Sequence, residues 1–109
     1  MNKKLYLKKI ISDLKMLARQ VSVINEINIF GSYAKGNPSD SSDLDVVVLC
    51  DDNSAYDDII KKIFELTQKY NKFVHPVIYD KPKHFLLDNI YIKTNIFDNS
   101  ILVYKRDSE

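Results

Sequence analysis

Residues 31–45 read Gly31-Ser32-Tyr33-Ala34-Lys35-Gly36-Asn37-Pro38-Ser39-Asp40-Ser41-Ser42-Asp43-Leu44-Asp45, and they separate two apolar runs, Ile24–Phe30 and 46–50. The first run is rich in β-branched residues and reads as a strand stopped at Gly31. The block 43–50 is nearly all apolar after Asp45, which suits a strand buried on both faces in the middle of a sheet. The stretch between the runs holds both glycines of the chain. A chain with so little glycine elsewhere needs it there for backbone geometry.

Upstream, apolar residues at 7, 10, 11, 14, 17, 18 and 21 follow the helical period, so an amphipathic helix is expected over about 4–20, with lysines outward. Downstream, Asp51, Asp52, Asn53 and Ser54 form a polar turn with N-cap candidates. A second helix follows, apolar or aromatic at 56, 59, 60, 63, 64 and 70, with Asp57 and Asp58 complementing its N-terminus. Residues 73–79 read as a third strand. Pro76 within it cannot donate to a ladder, which argues for an edge position or a bulge. From 85 to 97 the pattern fits a helix, while the Ile and Thr content favours strand. Residues 101–104 read as a last short strand and 105–109 as a polar tail. The order α-β-loop-β-α-β-(α)-β defines an α/β class, a small mixed sheet flanked by helices. At 109 residues, without repeats or a linker, the chain is expected to form one domain over 1–109.

Sixteen Lys and Arg against fifteen Asp and Glu give a net charge of +1. That excludes a broad electrostatic footprint for nucleic acid or anionic lipid, though Lys3, Lys4, Lys8 and Lys9 leave room for a local basic patch. With 45% hydrophobic and 28% charged residues, the composition is that of a folded protein rather than a disordered one. The single cysteine, Cys50, excludes an internal disulfide and a cysteine zinc site and reads as a small core residue. No stretch resembles a signal peptide or approaches the roughly 20 apolar residues of a membrane span, so a cytoplasmic protein is expected.

Gly31-Ser32, directly after a strand, can turn backbone N–H groups and a hydroxyl toward an anion. A helical turn starting at Ser32 would add its partial positive charge. Asp43 and Asp45, two apart in a strand, share a face with Cα atoms roughly 6.5–7 Å apart. Unpaired, each carboxylate raises the other's pKa. A divalent cation removes that conflict, and Mg²⁺ takes one or two carboxylates together with substrate phosphate oxygens.

Gly31-Ser32, ten residues, then Asp43-Leu44-Asp45 resembles the nucleotidyltransferase motif of the DNA polymerase beta superfamily. The fuller run 31–45 is similar to the minimal nucleotidyltransferases of bacteria and archaea, whose usual form is Gly-Ser-(Phe/Tyr)-Ala-(Arg/Lys)-Gly followed by Ser-Asp-x-Asp. The resemblance implies a mixed sheet flanked by helices, an NTP held by Gly31 and Ser32, Mg²⁺ ions held by Asp43 and Asp45, and Lys35 near phosphate. It implies attack of an acceptor hydroxyl on the α-phosphate of an NTP, with release of pyrophosphate. Many such superfamily members add a third acid on a neighbouring strand. Aligned on 77–79, that position is His75. Three readings stay open: His75 serves as a base, Asp80 supplies the carboxylate through a bulge at Pro76, or the third acid is absent.

The resemblance also implies a HEPN-domain partner, in many such pairs an RNase toxin, with this chain as the antitoxin transferring AMP from Mg-ATP to a tyrosine of that partner. The alternative is a catalytically weak or inactive NTP-binding module that acts by complex formation; nucleotide transfer to RNA or a small molecule ranks below both. Apolar residues of 85–97 exceed what one helical face buries, so Ile90, Tyr91 or Phe97 is expected in an exposed patch that meets a partner. Asp40, Ser41 and Ser42 read as loop polars and His84 as surface. Self-association is left open.

Overall fold

The computed structural model describes residues 3–39 and 41–106, with side chains from Leu7 onward. Its elements are α1 (Lys3–Gln20), β1 (Ile24–Phe30), the single turn α2 (Ser32–Lys35), β2 (Leu44–Cys50), α3 (Tyr56–Tyr70), β3 (Val74–Tyr79), α4 (Lys83–Leu87), α5 (Ile90–Ile92) running into a π-helical turn (Lys93–Phe97), and β4 (Ile101–Lys105). The sheet order is β3-β2-β1-β4. β1 runs antiparallel to β2 and β4, and β2 runs parallel to β3. The mixed sheet flanked by helices is therefore as expected.

β2 is an interior strand, and every residue from 46 to 50 is buried. Val46, Val48 and Cys50 pack on one face with Ile10, Leu14 and Leu17 of α1 and Ile59 and Ile63 of α3. Val47 and Leu49 pack on the other with Leu86, Ile96 and Phe97. Because both faces are covered, the sequence there is an unbroken apolar run rather than an alternation.

β3 lies at the sheet's edge. The Leu44 N–H donates to the Phe73 carbonyl at 3.0 Å. In a parallel ladder that bond turns the backbone groups of Phe73, His75 and Val77 toward β2 and those of Pro76 toward the open edge, where a missing N–H removes nothing. The register runs unbroken from Leu44 opposite Val74 to Leu49 opposite Tyr79. Pro76 is thus accommodated by the edge, without a bulge.

Residues 83–97 are helical, but in three short pieces. Ile90 and Tyr91 are exposed, as expected; Phe97 is not. It is 8% exposed, in the second core beside Ile96, with the Lys83 ammonium 5.2 Å from its ring centre. The N-cap candidates 51–54 also give way: Ala55 stands at the N-cap of α3 and makes no side-chain cap bond. Asp52 instead accepts from the Ser54 N–H at 2.9 Å within the turn, while Asp57 and Asp58 do lie in the helix's first turn. The expected polar tail begins later than 105. Lys105 ends β4, and Arg106 forks onto Asp51 at 2.8 and 2.9 Å while donating to the Ser22 carbonyl. Residues 107–109, and the side chains of Lys3 and Lys4 in the basic patch, lie outside the described residues; Lys8 and Lys9 are exposed. Among the described residues no helix is long and apolar enough to cross a membrane.

β1 carries two buried polar residues that its β-branched pattern hides. Asn28 donates to Glu26 at 2.6 Å, and Lys83 of α4 donates to the same Glu26 oxygen at 2.8 Å. On the opposite side, Asp13 of α1 accepts from the Tyr70 hydroxyl at 2.5 Å and from Lys69 at 2.9 Å, joining α1 to the end of α3. Burial pushes the Asp13 carboxyl up, but those hydrogen bonds and the Lys69 charge outweigh it and hold the group below its ordinary value. A depressed carboxyl contributes stability above its unfolded value of about 3.9, and that contribution is lost as pH falls through the folded value. We expect Asp13→Asn to lower Tm by roughly 3–6 °C at pH 7, about 1 kcal/mol for a chain of this size. The difference should shrink below about pH 4 in melts followed by circular dichroism.

Candidate active site

β1 ends at Phe30, opposite Asp45 at the start of β2. Gly31 then reverses the chain with φ 75° and ψ −153°, a backbone region open essentially to glycine alone. A second constraint falls on the same residue: a Cβ on Gly31 would overlap Asp45 Oδ2 and stand 3.2 Å from its Cγ. The loop backbone and the carboxylate approach each other because no side chain intervenes.

The loop then folds on itself. Lys35 N–H donates to the Gly31 carbonyl and Asn37 N–H to the Ser32 carbonyl, both at 3.1 Å. Gly36, left-handed at φ 81°, caps the turn. Ser42 Oγ accepts from the Ser39 N–H at 2.9 Å, and Lys72 donates to the Ser42 carbonyl at 2.7 Å while lying over the ring of buried Tyr33. Ser32 is half-buried at the first position of α2 and Lys35 exposed at its last. Asp43 is exposed, one residue before β2, so the acidic pair straddles the strand's first residue rather than lying inside it. Asp40 lies outside the described residues.

The parallel register sets His75 directly beside Asp45. Its Nδ1 is 3.1 Å from Asp45 Oδ1, with the imidazole 50% and the carboxylate 26% exposed. Phe73, on the same side of β3, stacks on the imidazole at 5.9 Å. Asp45 therefore has one oxygen toward the Gly31 backbone and the other toward His75. Asp80 follows the far end of β3 and gathers with Cys50, Asp52 and Tyr56 at the opposite end of the sheet, away from Asp45. With no bulge, it does not join this site. Burial, with Asp51 and Asp52 nearby, pushes the Cys50 thiol up to about 11, which keeps it from acting as a nucleophile at neutral pH. His84 is exposed on α4.

Among the described residues, no three His, Cys, Asp or Glu side chains are gathered as a metal held by protein alone would need. The partly exposed carboxylates of Asp43 and Asp45 supply hard oxygen donors of the kind that bind Mg²⁺ jointly with substrate phosphates. The donor set fits a cation that the substrate helps to hold.

An open carboxylate-bearing strand end beside a glycine-serine loop, on a four-stranded mixed sheet, is the arrangement of a nucleotidyltransferase. The family model described as "Polymerase beta, Nucleotidyltransferase" matches residues 12–109, and the chain belongs to that family. A Methanocaldococcus jannaschii protein, provisionally named a protein adenylyltransferase, is 31% identical over 81 residues, covering 67% of this chain and 82% of its own length. A toxin–antitoxin crystal structure with AMP-PNP superposes with a TM-score of 0.65 at 19% identity, covering 89% of this chain and 74% of that one. A tri-AMPylated Shewanella oneidensis HEPN toxin in complex with its MNT antitoxin gives 0.61 at 17% identity, covering 96% and 74%. At such identities the two solved structures establish the shared fold.

Three residues that shape the site, Phe73, Tyr33 and Lys72, have no assigned role in the sequence reading. Phe73 and His75 are two apart in a strand and so share a face, a signal that was available. Tyr33 and Lys72 meet only through the fold, and no local pattern joins them. We expect Gly31→Ala to destabilise the protein by about 2 kcal/mol or more, from positive-φ strain and the Asp45 overlap together. In an Asp45→Ala background the same change should cost about 1 kcal/mol less, because only the backbone strain remains. Urea unfolding of the four proteins in that cycle measures both terms.

Proposed function

We propose that this nucleotidyltransferase transfers AMP from Mg-ATP to a hydroxyl group on a partner protein, as the antitoxin to a HEPN RNase toxin. The observation that carries this reading is the convergence on Asp45 of the Gly31 loop and His75 at an open strand end. The 31%-identical relative's name, protein adenylyltransferase, supports the acceptor class. The HEPN toxin and AMP-PNP in the fold neighbours support the partner and the nucleotide.

In this reading Gly31 and Ser32 hold the triphosphate from the loop, Lys35 meets a phosphate from the end of α2, and Asp43 and Asp45 hold the divalent cations. Divalent cations held there would offset charge on the phosphates and ease deprotonation of an acceptor hydroxyl. The chain positions an acceptor oxygen in line with the α-phosphorus. The new P–O bond forms as the bond to the bridging oxygen breaks, pyrophosphate leaves, and the acceptor's proton passes to solvent or to a group beside Asp45. His75 holds the third acid's position and assists there. No protein nucleophile takes part, in keeping with the raised Cys50 thiol.

The second reading, an NTP- or partner-binding module that acts by complex formation, is favoured by one observation: His75, rather than an acid, stands beside Asp45. Titration calorimetry with ATP, with and without Mg²⁺, tests the site. We expect Mg²⁺-dependent binding that Asp43→Asn/Asp45→Asn loses by tenfold or more, about 1.4 kcal/mol. Binding without transfer of labelled AMP to a co-purified HEPN partner would select the second reading. No nucleotide binding at all, alone or with that partner, would leave only contact with the partner.

A further inference from the structure

We propose that Lys72 is a positioning residue for Asp43: its ammonium, together with the Phe73 carbonyl, fixes the backbone on both sides of that aspartate and so sets the direction of its carboxylate. The proposal rests on the reading that Asp43 helps to hold a cation with bound nucleotide, and deepens it by naming the side chain on which that role depends.

The two aspartates are held differently. Asp45 lies in β2, opposite Phe30 on one side and His75 on the other, so two ladders place it. Asp43 comes one residue before the strand and is exposed. The direction of its side chain depends on its own φ and ψ, and therefore on the two peptide planes that meet at its Cα. Each plane is held by one bond from the same short segment. The Lys72 ammonium donates to the Ser42 carbonyl at 2.7 Å, which fixes the plane between 42 and 43. The Leu44 N–H donates to the Phe73 carbonyl at 3.0 Å, which fixes the plane between 43 and 44. The second bond is made by backbone alone and any residue at 73 supplies it. The first needs a long side chain with a donor at its tip.

That side chain is anchored at both ends. At its base, the Lys72 N–H donates to the Thr67 carbonyl at 3.3 Å, and the Thr67 hydroxyl accepts from the Val74 N–H at 3.0 Å, so the end of α3 fixes the segment from which Lys72 springs. At its tip, the ammonium lies 5.8 Å from the ring centre of Tyr33, which is buried in α2. The bonds among Ser39, Ser41 and Ser42 close that turn on itself but run within it, and bonds within a turn cannot orient it on the sheet. Lys72 does so, and through Tyr33 it ties the approach to Asp43 to the turn that begins at Ser32. The competing account is that Lys72 touches the phosphates itself.

Nuclear magnetic resonance of the ligand-free chain reads the clamp, and calorimetry with Mg-ATP reads its consequence. In wild type, a coupling across the hydrogen bond from the Lys72 ¹⁵Nζ to the Ser42 carbonyl ¹³C observes the contact without any variant. We expect Lys72→Met to lower the backbone order parameters of residues 41–43 while those of β2 stay unchanged. It should weaken Mg²⁺-dependent ATP binding about tenfold, and Lys72→Arg should restore most of the loss. In an Asp43→Asn background the same Lys72→Met change should cost roughly twofold or less, because no carboxylate remains to be aimed. An equal loss in both backgrounds would overturn the proposal in favour of direct phosphate contact. Wild-type affinity in Lys72→Met, or no coupling from Lys72 to Ser42, would overturn it and leave the nucleotide site standing. Failure of wild type to bind Mg-ATP would overturn both.

Discussion

The burial of β2 on both faces is the constraint on which the rest of the molecule depends. Five consecutive residues, 46–50, lose contact with water, and they can do so only if helices cover each side of the sheet. α1 and α3 supply one cover, and the 83–97 segment supplies the other. Full burial of a Val or Leu side chain is worth about 1.5–3 kcal/mol, so this one strand anchors a large share of the hydrophobic stabilisation. It also fixes the position of whatever begins it. Asp45 is at that beginning, and its carboxylate is placed by a strand that has little freedom to move.

A carboxylate so placed needs room, donors or a counter-charge. Gly31 provides room by lacking a side chain, and His75 provides a nitrogen at 3.1 Å. Asp43 stands exposed one residue before the strand, and among the described residues no three His, Cys, Asp or Glu side chains are gathered to hold a metal. In the proposed reading, a cation and the phosphates of a nucleotide would complete one another there.

Farther away, polar contacts tie covers to sheet. Lys83 reaches from α4 to Glu26, whose side chain is only 5% exposed and already accepts from Asn28. A buried carboxylate without such partners would be costly, and the pair holds the second cover in register over β1. At the opposite end from the site, Arg106 forks onto Asp51 and holds that carboxyl below its usual range. Both Asp51 and Arg106 are exposed, so the bond's value is geometric, aligning β4 with the turn after β2, more than energetic.

The local code of this chain determined its elements where one periodicity dominated. The α1 stripe, the β1 run, the apolar block ending at Cys50 and the α3 stripe each carry a single pattern over many residues, and each forms the element that pattern implies, although Tyr56 and Phe64 of the α3 stripe stay exposed. The glycine-serine and aspartate signals were legible by concentration rather than period: a glycine-poor chain placed both its glycines in one loop between two strands, and two carboxylates at the start of the second strand. Tertiary structure decided what depends on partners distant in sequence. Whether Pro76 marked an edge or a bulge was settled by which strand paired with β2, and that choice set His75 beside Asp45 and sent Asp80 to the far end of the sheet. Of the three residues among which an exposed patch was expected, Ile90 and Tyr91 stay exposed, while Phe97 joins Ile96 in the second core cluster. Glu26, buried in β1, accepts from Asn28 two residues away and from Lys83, 57 residues away, a partner only the fold brings to it. Periodicity is a property of neighbours along the chain; register, burial of charge and the close approach of Gly31 to Asp45 are properties of neighbours in space.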